Sequence, residues 1–143
     1  MKKLLTAISF LAAGTAFAQM TPVGTWHSID DKTGEAKVEV VISESAGVLS
    51  GRIDKQLRKQ ADPNRRCTEC KDDRKDQMFV GLEIIRGVRK AEGEALWEGG
   101  KILDPESGSE YRVRMKPIDD GKRMELRGYL GPIWRTQTWV RVK

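Results

Sequence analysis

Histidine and cysteine are nearly absent from this chain: its 143 residues include one histidine, His27, and two cysteines, Cys67 and Cys70. One histidine excludes a three-histidine metal site and weakens most histidine-based acid–base schemes. No serine sits in a G-x-S-x-G nucleophile elbow. The acidic turns Asp30-Asp31, Asp104-Pro105-Glu106 and Asp119-Asp120 lack the alternating spacing of a calcium loop, and Asp caps backbone amides in ordinary turns. Helical periodicity is missing over any useful length. Neither sign of charge dominates: 26 Lys and Arg oppose 21 Asp and Glu, a formal +5, which argues against a nucleic-acid partner. These absences point away from an enzyme and from a metal or organic cofactor. With 38% hydrophobic and 33% charged residues, the composition is that of one globular domain.

What is present begins with an address. Met1-Lys2-Lys3 leads into the apolar run Leu4–Ala13, and Ala16-Phe17-Ala18 supplies an A-x-A site before Gln19. A basic start, a short apolar core and a small-residue cleavage site make a secretory signal. The run is too short to serve as a transmembrane segment across about 30 Å of hydrocarbon. Residues 1–18 are therefore expected to be cleaved, leaving a single domain over 19–143. Loss of Lys2 and Lys3 lowers the formal charge from +5 to +3. The expected destination is the periplasm or the exterior, both permissive for a disulfide.

The remainder alternates with period two. Val38, Val40 and Ile42 share one face, and Leu49, Gly51 and Ile53 another. Val80, Leu82 and Ile84 follow, then Tyr111, Val113 and Met115 set between Arg112, Arg114 and Lys116, then Met124, Leu126 and Gly128. Such half-buried strands belong to antiparallel sheets. Asp30–Gly34, Asp104–Gly108 and Asp119-Asp120-Gly121 carry hairpin chemistry between them. With Gly24–Ile29, Ala95–Leu103 and Trp134–Val142, about eight strands result. An all-β, eight-stranded antiparallel up-and-down barrel is favoured over a sandwich, because closure leaves no exposed strand edge. The connection 55–76 breaks the rhythm: 13 of its 22 residues are charged, and loops of that length often act as lids.

A set of motifs runs the length of the domain: Gly24-Thr25-Trp26, Asp30–Gly34, Gly51-Arg52-Ile53, Cys67-Thr68-Glu69-Cys70, Gly81-Leu82, Trp97–Pro105, Gly108, Tyr111, Arg127–Gly131 and Arg135–Arg141. Through them the chain resembles the small secreted bacterial proteins of domain of unknown function family 2147, which are similar in fold to lipocalins. That resemblance implies a barrel able to carry an apolar ligand. It also implies closure of one end by Trp26 with a guanidinium from Arg141 or Arg135 stacked over it, a contact of about 0.5–2 kcal/mol.

The Cys67-x-x-Cys70 pair admits three readings: a structural disulfide that stiffens the 55–76 lid, two ligands of a metal, or a redox centre. Export and the polar surroundings favour the disulfide. His27 alternates with Trp26 and so faces away from the interior. The expected ligand wall is Leu82, Trp97, Tyr111, Val113, Met115 and Met124, with Gly51, Gly81 and Gly128 leaving room and the two methionines adaptable. The functional expectation is a carrier of a small apolar or amphipathic molecule. Two alternatives come from other classes. One is a filled barrel that binds an envelope protein or anionic partner through Arg112, Arg114, Lys116, Arg127 and the charged loop. The other is a thiol–metal or redox protein centred on Cys67 and Cys70.

Overall fold

The computed structural model describes residues 20–143, and the segment read as a signal peptide lies outside them. The strands are β1 Gly24–Ile29, β2 Ala36–Ser45, β3 Val48–Gln56, β4 Glu83–Lys90, β5 Trp97–Asp104, β6 Ser109–Ile118, β7 Arg123–Leu130 and β8 Ile133–Arg141. Each pairs antiparallel with the next, and β8 returns to β1 through Trp26↔Arg141 and His27↔Val140 to close the barrel. The ladder at that seam is short, and Thr25 extends it by donating to the Lys143 carbonyl (2.7 Å) and accepting from the Val142 amide (2.8 Å). No helix of the described residues is long and apolar enough to cross a membrane.

Alternation explains why these residues pair as they do. Along β6, Val113 and Met115 are buried while Arg112, Arg114 and Lys116 are exposed. The β6–β7 register sets Met115 against Leu126, and the β7–β8 register sets Met124 against Trp139. A slip of one residue would turn both apolar sets outward, so burial specifies the register. At the β6–β7 turn, Asp119, Asp120 and Gly121 all adopt positive φ (51°, 53° and 81°), the left-handed geometry that Asp and Gly tolerate best.

β4 differs from its reading in the sequence. It begins at Glu83, and Val80 is exposed in the connection rather than on the inner face. The β3–β4 ladder shifts register twice, so Ile84 and Ile85 are both buried in succession. Gly51 leaves no void, because Ile85 fills the space: a Cβ there would lie 3.0 Å from Ile85 Cδ1. The long connection also starts later than 55, since Lys55 and Gln56 pair with Glu39 and Val38 in the β2–β3 ladder.

The interior divides along the barrel axis. Trp26, Ile42, Leu49, Val88, Trp97, Met115 and Met124 pack the end that holds the β2–β3, β4–β5 and β6–β7 turns. The other end is open.

Candidate functional site

A cavity of about 820 Å³ occupies the open half. Its wall is apolar, formed by Val38, Ile53, Ile84, Ile102, Val113, Leu126 and Trp139, with Phe79 from the connection and Tyr111 and Gln137 as polar handles. Gly128 lets Tyr111 pack closely against β7, its Cβ 3.4 Å from where a Cβ of residue 128 would stand. Above this lining the rim is charged, with Asp30, Asp31, Lys32, Lys37, Arg58, Asp62, Arg65, Asp104, Glu106 and Arg135. Five of these are cations and five are anions, so the rim is neutral although densely ionic. An apolar chamber under a charged rim suits a ligand with a hydrocarbon body and a polar end.

Rim charges are paired across the mouth. Arg58 reaches Asp30 on the β1–β2 turn (2.7 Å) and Glu106 on the β5–β6 turn (3.8 Å). Arg65 also approaches Glu106 (3.8 Å) while lying 4.2 Å over the Phe79 ring. Arg135 from β8 bonds Asp31 (2.7 Å). Solvent-exposed pairs of this kind contribute about 0–1 kcal/mol each, so they hold residues 57–65 over the mouth without locking them. Two backbone amides, of Lys32 and Thr33, bond the Asp30 carboxylate and hold its pKa below the ordinary range.

The second half of the connection is fastened firmly. Cys67 and Cys70 form a disulfide, and both are buried in the hydrophobic core. The Cys67 sulfur lies 3.6 Å from the Pro105 carbonyl on the β5–β6 turn. Beside the disulfide, the Arg74 guanidinium is 1% exposed and meets Asp72 (2.5 Å), Glu110 of β6 (3.0 Å) and the Glu83 carbonyl of β4 (2.9 Å). Arg86 on β4 then grips Asp73 through two bonds of 3.0 and 2.9 Å. Hydrogen bonds from Arg74 hold the Asp72 carboxyl far below its ordinary value, and those from Arg86 lower that of Asp73.

These depressed carboxylates carry a pH dependence. The folded form binds fewer protons than the unfolded chain, so stability rises with pH. The contribution is complete above the ordinary Asp pKa of 3.8 and is lost as pH falls through the depressed folded values. We expect thermal unfolding to move to lower temperature below about pH 4, with the near-ultraviolet signal of the connection lost first. Equal melting temperatures at pH 6 and pH 3 would contradict this.

At the closed end, the Arg141 guanidinium lies 4.2 Å over the Trp26 ring and donates to the carbonyls of Val23 (2.9 Å), Thr21 (2.5 Å) and Gly121 (2.5 Å). Burial pushes its pKa down. Trp26 Nε1 donates to the Pro22 carbonyl (2.8 Å). Gly24 is required here because a Cβ would fall 2.5 Å from Arg141 Nη1. Arg135 lies at the other end of the barrel, on the cavity rim.

Of the residues read as a ligand wall, Tyr111 and Val113 line the cavity. Trp97, Met115 and Met124 lie in the packed half, and Leu82, the last residue of the connection, is buried in the core with its carbonyl accepting from the Ile53 amide. The two methionines therefore pack the core, while Gly81 has positive φ and sits in the connection with no side chain near it. The filled-barrel alternative describes only the packed half of the interior. A thiol–metal or redox centre is disfavoured because the two sulfurs are bonded to each other and buried. His27 bonds Glu39 (3.0 Å) on the outer face, remote from the cavity. That bond lowers the Glu39 pKa.

Ile102, Gln137, Trp139 and Phe79 are cavity residues that the sequence reading did not assign. A signal for Trp139 was present: if Arg141 stacks inside the barrel, period two puts Trp139 and Gln137 on the same face. Phe79 gave none, since it enters the cavity from a segment without periodicity.

A family model described as an uncharacterized protein conserved in bacteria (DUF2147) matches residues 24–141. Among solved structures, protein HP1028 from Helicobacter pylori, described as belonging to the lipocalin family, superposes with a TM-score of 0.70 at 16% identity, over 85% of this chain and 82% of that one. No curated protein matches the chain. The fold is thus lipocalin-like, an eight-stranded closed barrel with a disulfide in its long connection.

Proposed function

The chain belongs to the DUF2147 family of bacterial proteins, and from that premise and the barrel geometry we propose that it is an exported carrier of a small amphipathic molecule held in the barrel. The observation that carries this reading is the cavity of about 820 Å³, apolar at its base and ringed by a neutral charged rim. Its size falls within the range of about 300–1,000 Å³ found for pockets that enclose a small ligand. Wall residues from β2–β8 and the connection bury the hydrocarbon part, and Tyr111, Gln137 and the rim take the polar end. The weak pairs made by Arg58 and Arg65 let residues 57–65 move aside for entry, while Arg74 and the disulfide keep the rest of the connection docked. Export rests on the segment 1–18.

The test is native mass spectrometry of the protein purified from its host, before and after mild organic extraction. We expect a bound mass that extraction releases, a polypeptide beginning at Gln19, and a mass two hydrogens below that of the dithiol. A Val113→Trp variant places an indole on the cavity wall and is expected to lose about tenfold or more of the bound species while still unfolding cooperatively, overpacking costing roughly 1–3 kcal/mol. A bare polypeptide from the host, or equal occupancy in the variant, would refute the carrier reading.

A further inference from the structure

The β7–β8 hairpin carries an apolar tip at the mouth of the barrel. Ile133 is 71% exposed, Trp134 60% and Leu130 57%, whereas the neighbouring β1–β2 and β5–β6 turns are polar. All three residues also line the cavity rim, so the tip adds apolar surface to an otherwise charged mouth. The tip is stiff: Leu130 pairs with Ile133, Gly131 takes φ +58°, and Pro132 follows it. Pro at the second central position excludes a type I′ turn and fits type II′, so the tip is held out at little entropic cost.

We infer that this tip is a docking site for an anionic lipid bilayer, which seats the barrel mouth-down on the membrane. Three arguments favour a bilayer over a protein. The tip offers three large exposed apolar side chains, far fewer than the roughly 20–30 residues a side of a stable protein interface. Trp, Ile and Leu beside basic residues are what the headgroup boundary accepts, the indole resting at the interface and the aliphatic chains just below. Cations flank the tip: Lys32 and Lys37 stand on the rim, and Arg127 on the outer face bonds a neutral partner, Thr136 (3.1 Å). Arg112 pairs with Tyr129 across β6–β7 on that same outer face. The rim itself is neutral, since Arg58, Arg65 and Arg135 match Asp30, Asp31 and Glu106 while Asp62 and Asp104 offset Lys32 and Lys37, so the net positive charge beside the tip is that of Arg112 and Arg127 on the outer face. Each cation near an anionic surface contributes about 1 kcal/mol within a Debye length.

This deepens the carrier reading, on which its purpose rests: a docked mouth would exchange an amphipathic ligand with the bilayer without passing it through water. Docking itself is measured separately. Full-length mature protein is mixed with vesicles of phosphatidylglycerol and phosphatidylcholine, or of phosphatidylcholine alone, and followed by co-sedimentation and tryptophan emission. The expected result is binding to the anionic vesicles with a blue-shifted emission, roughly tenfold weaker for the Leu130→Ser, Ile133→Ser, Trp134→Ser triple variant and weaker again in high salt. In the unmodified protein, bilayers containing brominated lipid should quench the shifted emission, a readout independent of whether the variant folds.

No binding to anionic vesicles would overturn docking, as would equal binding by the triple variant. A dimer that forms without vesicles and is lost in the variant would overturn it in favour of a second copy of the chain. Failure of docking leaves the bound mass in native spectra untouched. A bare polypeptide that still binds vesicles would refute the carrier reading and spare the docking site.

Discussion

An Arg74→Met variant is expected to unfold with about 3 kcal/mol less free energy than the native protein, a drop of roughly 10 °C in melting temperature for a domain of this size. Methionine occupies most of the volume of the arginine stem, so the loss reports the guanidinium rather than a cavity. Removing it strands the carboxylates of Asp72 and Glu110 and the Glu83 carbonyl, which all converge on it. Breaking a fully buried ion pair costs about 3–5 kcal/mol, and the partial exposure of the two acids places this case at the low end. Lysine would restore the charge but not the three-way geometry, so Arg74→Lys should recover only part of the loss. Chemical denaturation checks both variants, and a change under 1 kcal/mol for Arg74→Met would show that the connection does not depend on this anchor.

Gly108→Ala is expected to be at least as damaging. Gly108 ends the β5–β6 turn with φ +74°, and an ideal Cβ there would fall 1.9 Å from the Glu69 carbonyl oxygen inside the disulfide loop. The obstacle is backbone, so no side-chain rotation relieves it. Either the turn or the Cys67–Cys70 loop must move, and the contact between the Cys67 sulfur and the Pro105 carbonyl is then lost. Left-handed φ for a non-glycine residue adds about 1–2 kcal/mol of strain, and the displaced contact brings the expected total to roughly 3 kcal/mol or more. Faster proteolysis of the connection at neutral pH should accompany the lower melting temperature. Wild-type protease resistance in Gly108→Ala would contradict the close docking of the connection on the β5–β6 turn. Together the two variants probe one idea, that only residues 57–65 of the connection are poised to move.

Much of this architecture was legible beforehand because it rests on local rules. Period two along Tyr111–Lys116 and Met124–Tyr129 set the inner face of β6 and β7, and Asp119-Asp120-Gly121 announced their turn. The family resemblance implied a plug of Trp26 under Arg141 or Arg135, and the structure places Arg141 there. The cysteine spacing and expected compartment favoured the disulfide that the structure contains.

Depth along the barrel axis was not legible in the same way. Periodicity says which face a residue takes and not how far from either end it lies, so Met115 and Met124 read the same as Val113 and Leu126. The register sets Met115 directly opposite Leu126, so only the closed three-dimensional barrel separates the first pair, in the packed half, from the second, on the cavity wall. The connection obeys no period at all. Its anchors join Arg74 to Glu110 and Cys67 to Pro105 across more than thirty positions, contacts that exist only once the barrel has brought β4, β5 and β6 together. The sequence alone therefore determined most of the strands and their faces, because neighbours a few residues apart decide those. Tertiary structure decided where the cavity sits and what holds the connection over it, because both depend on the closure of distant strands.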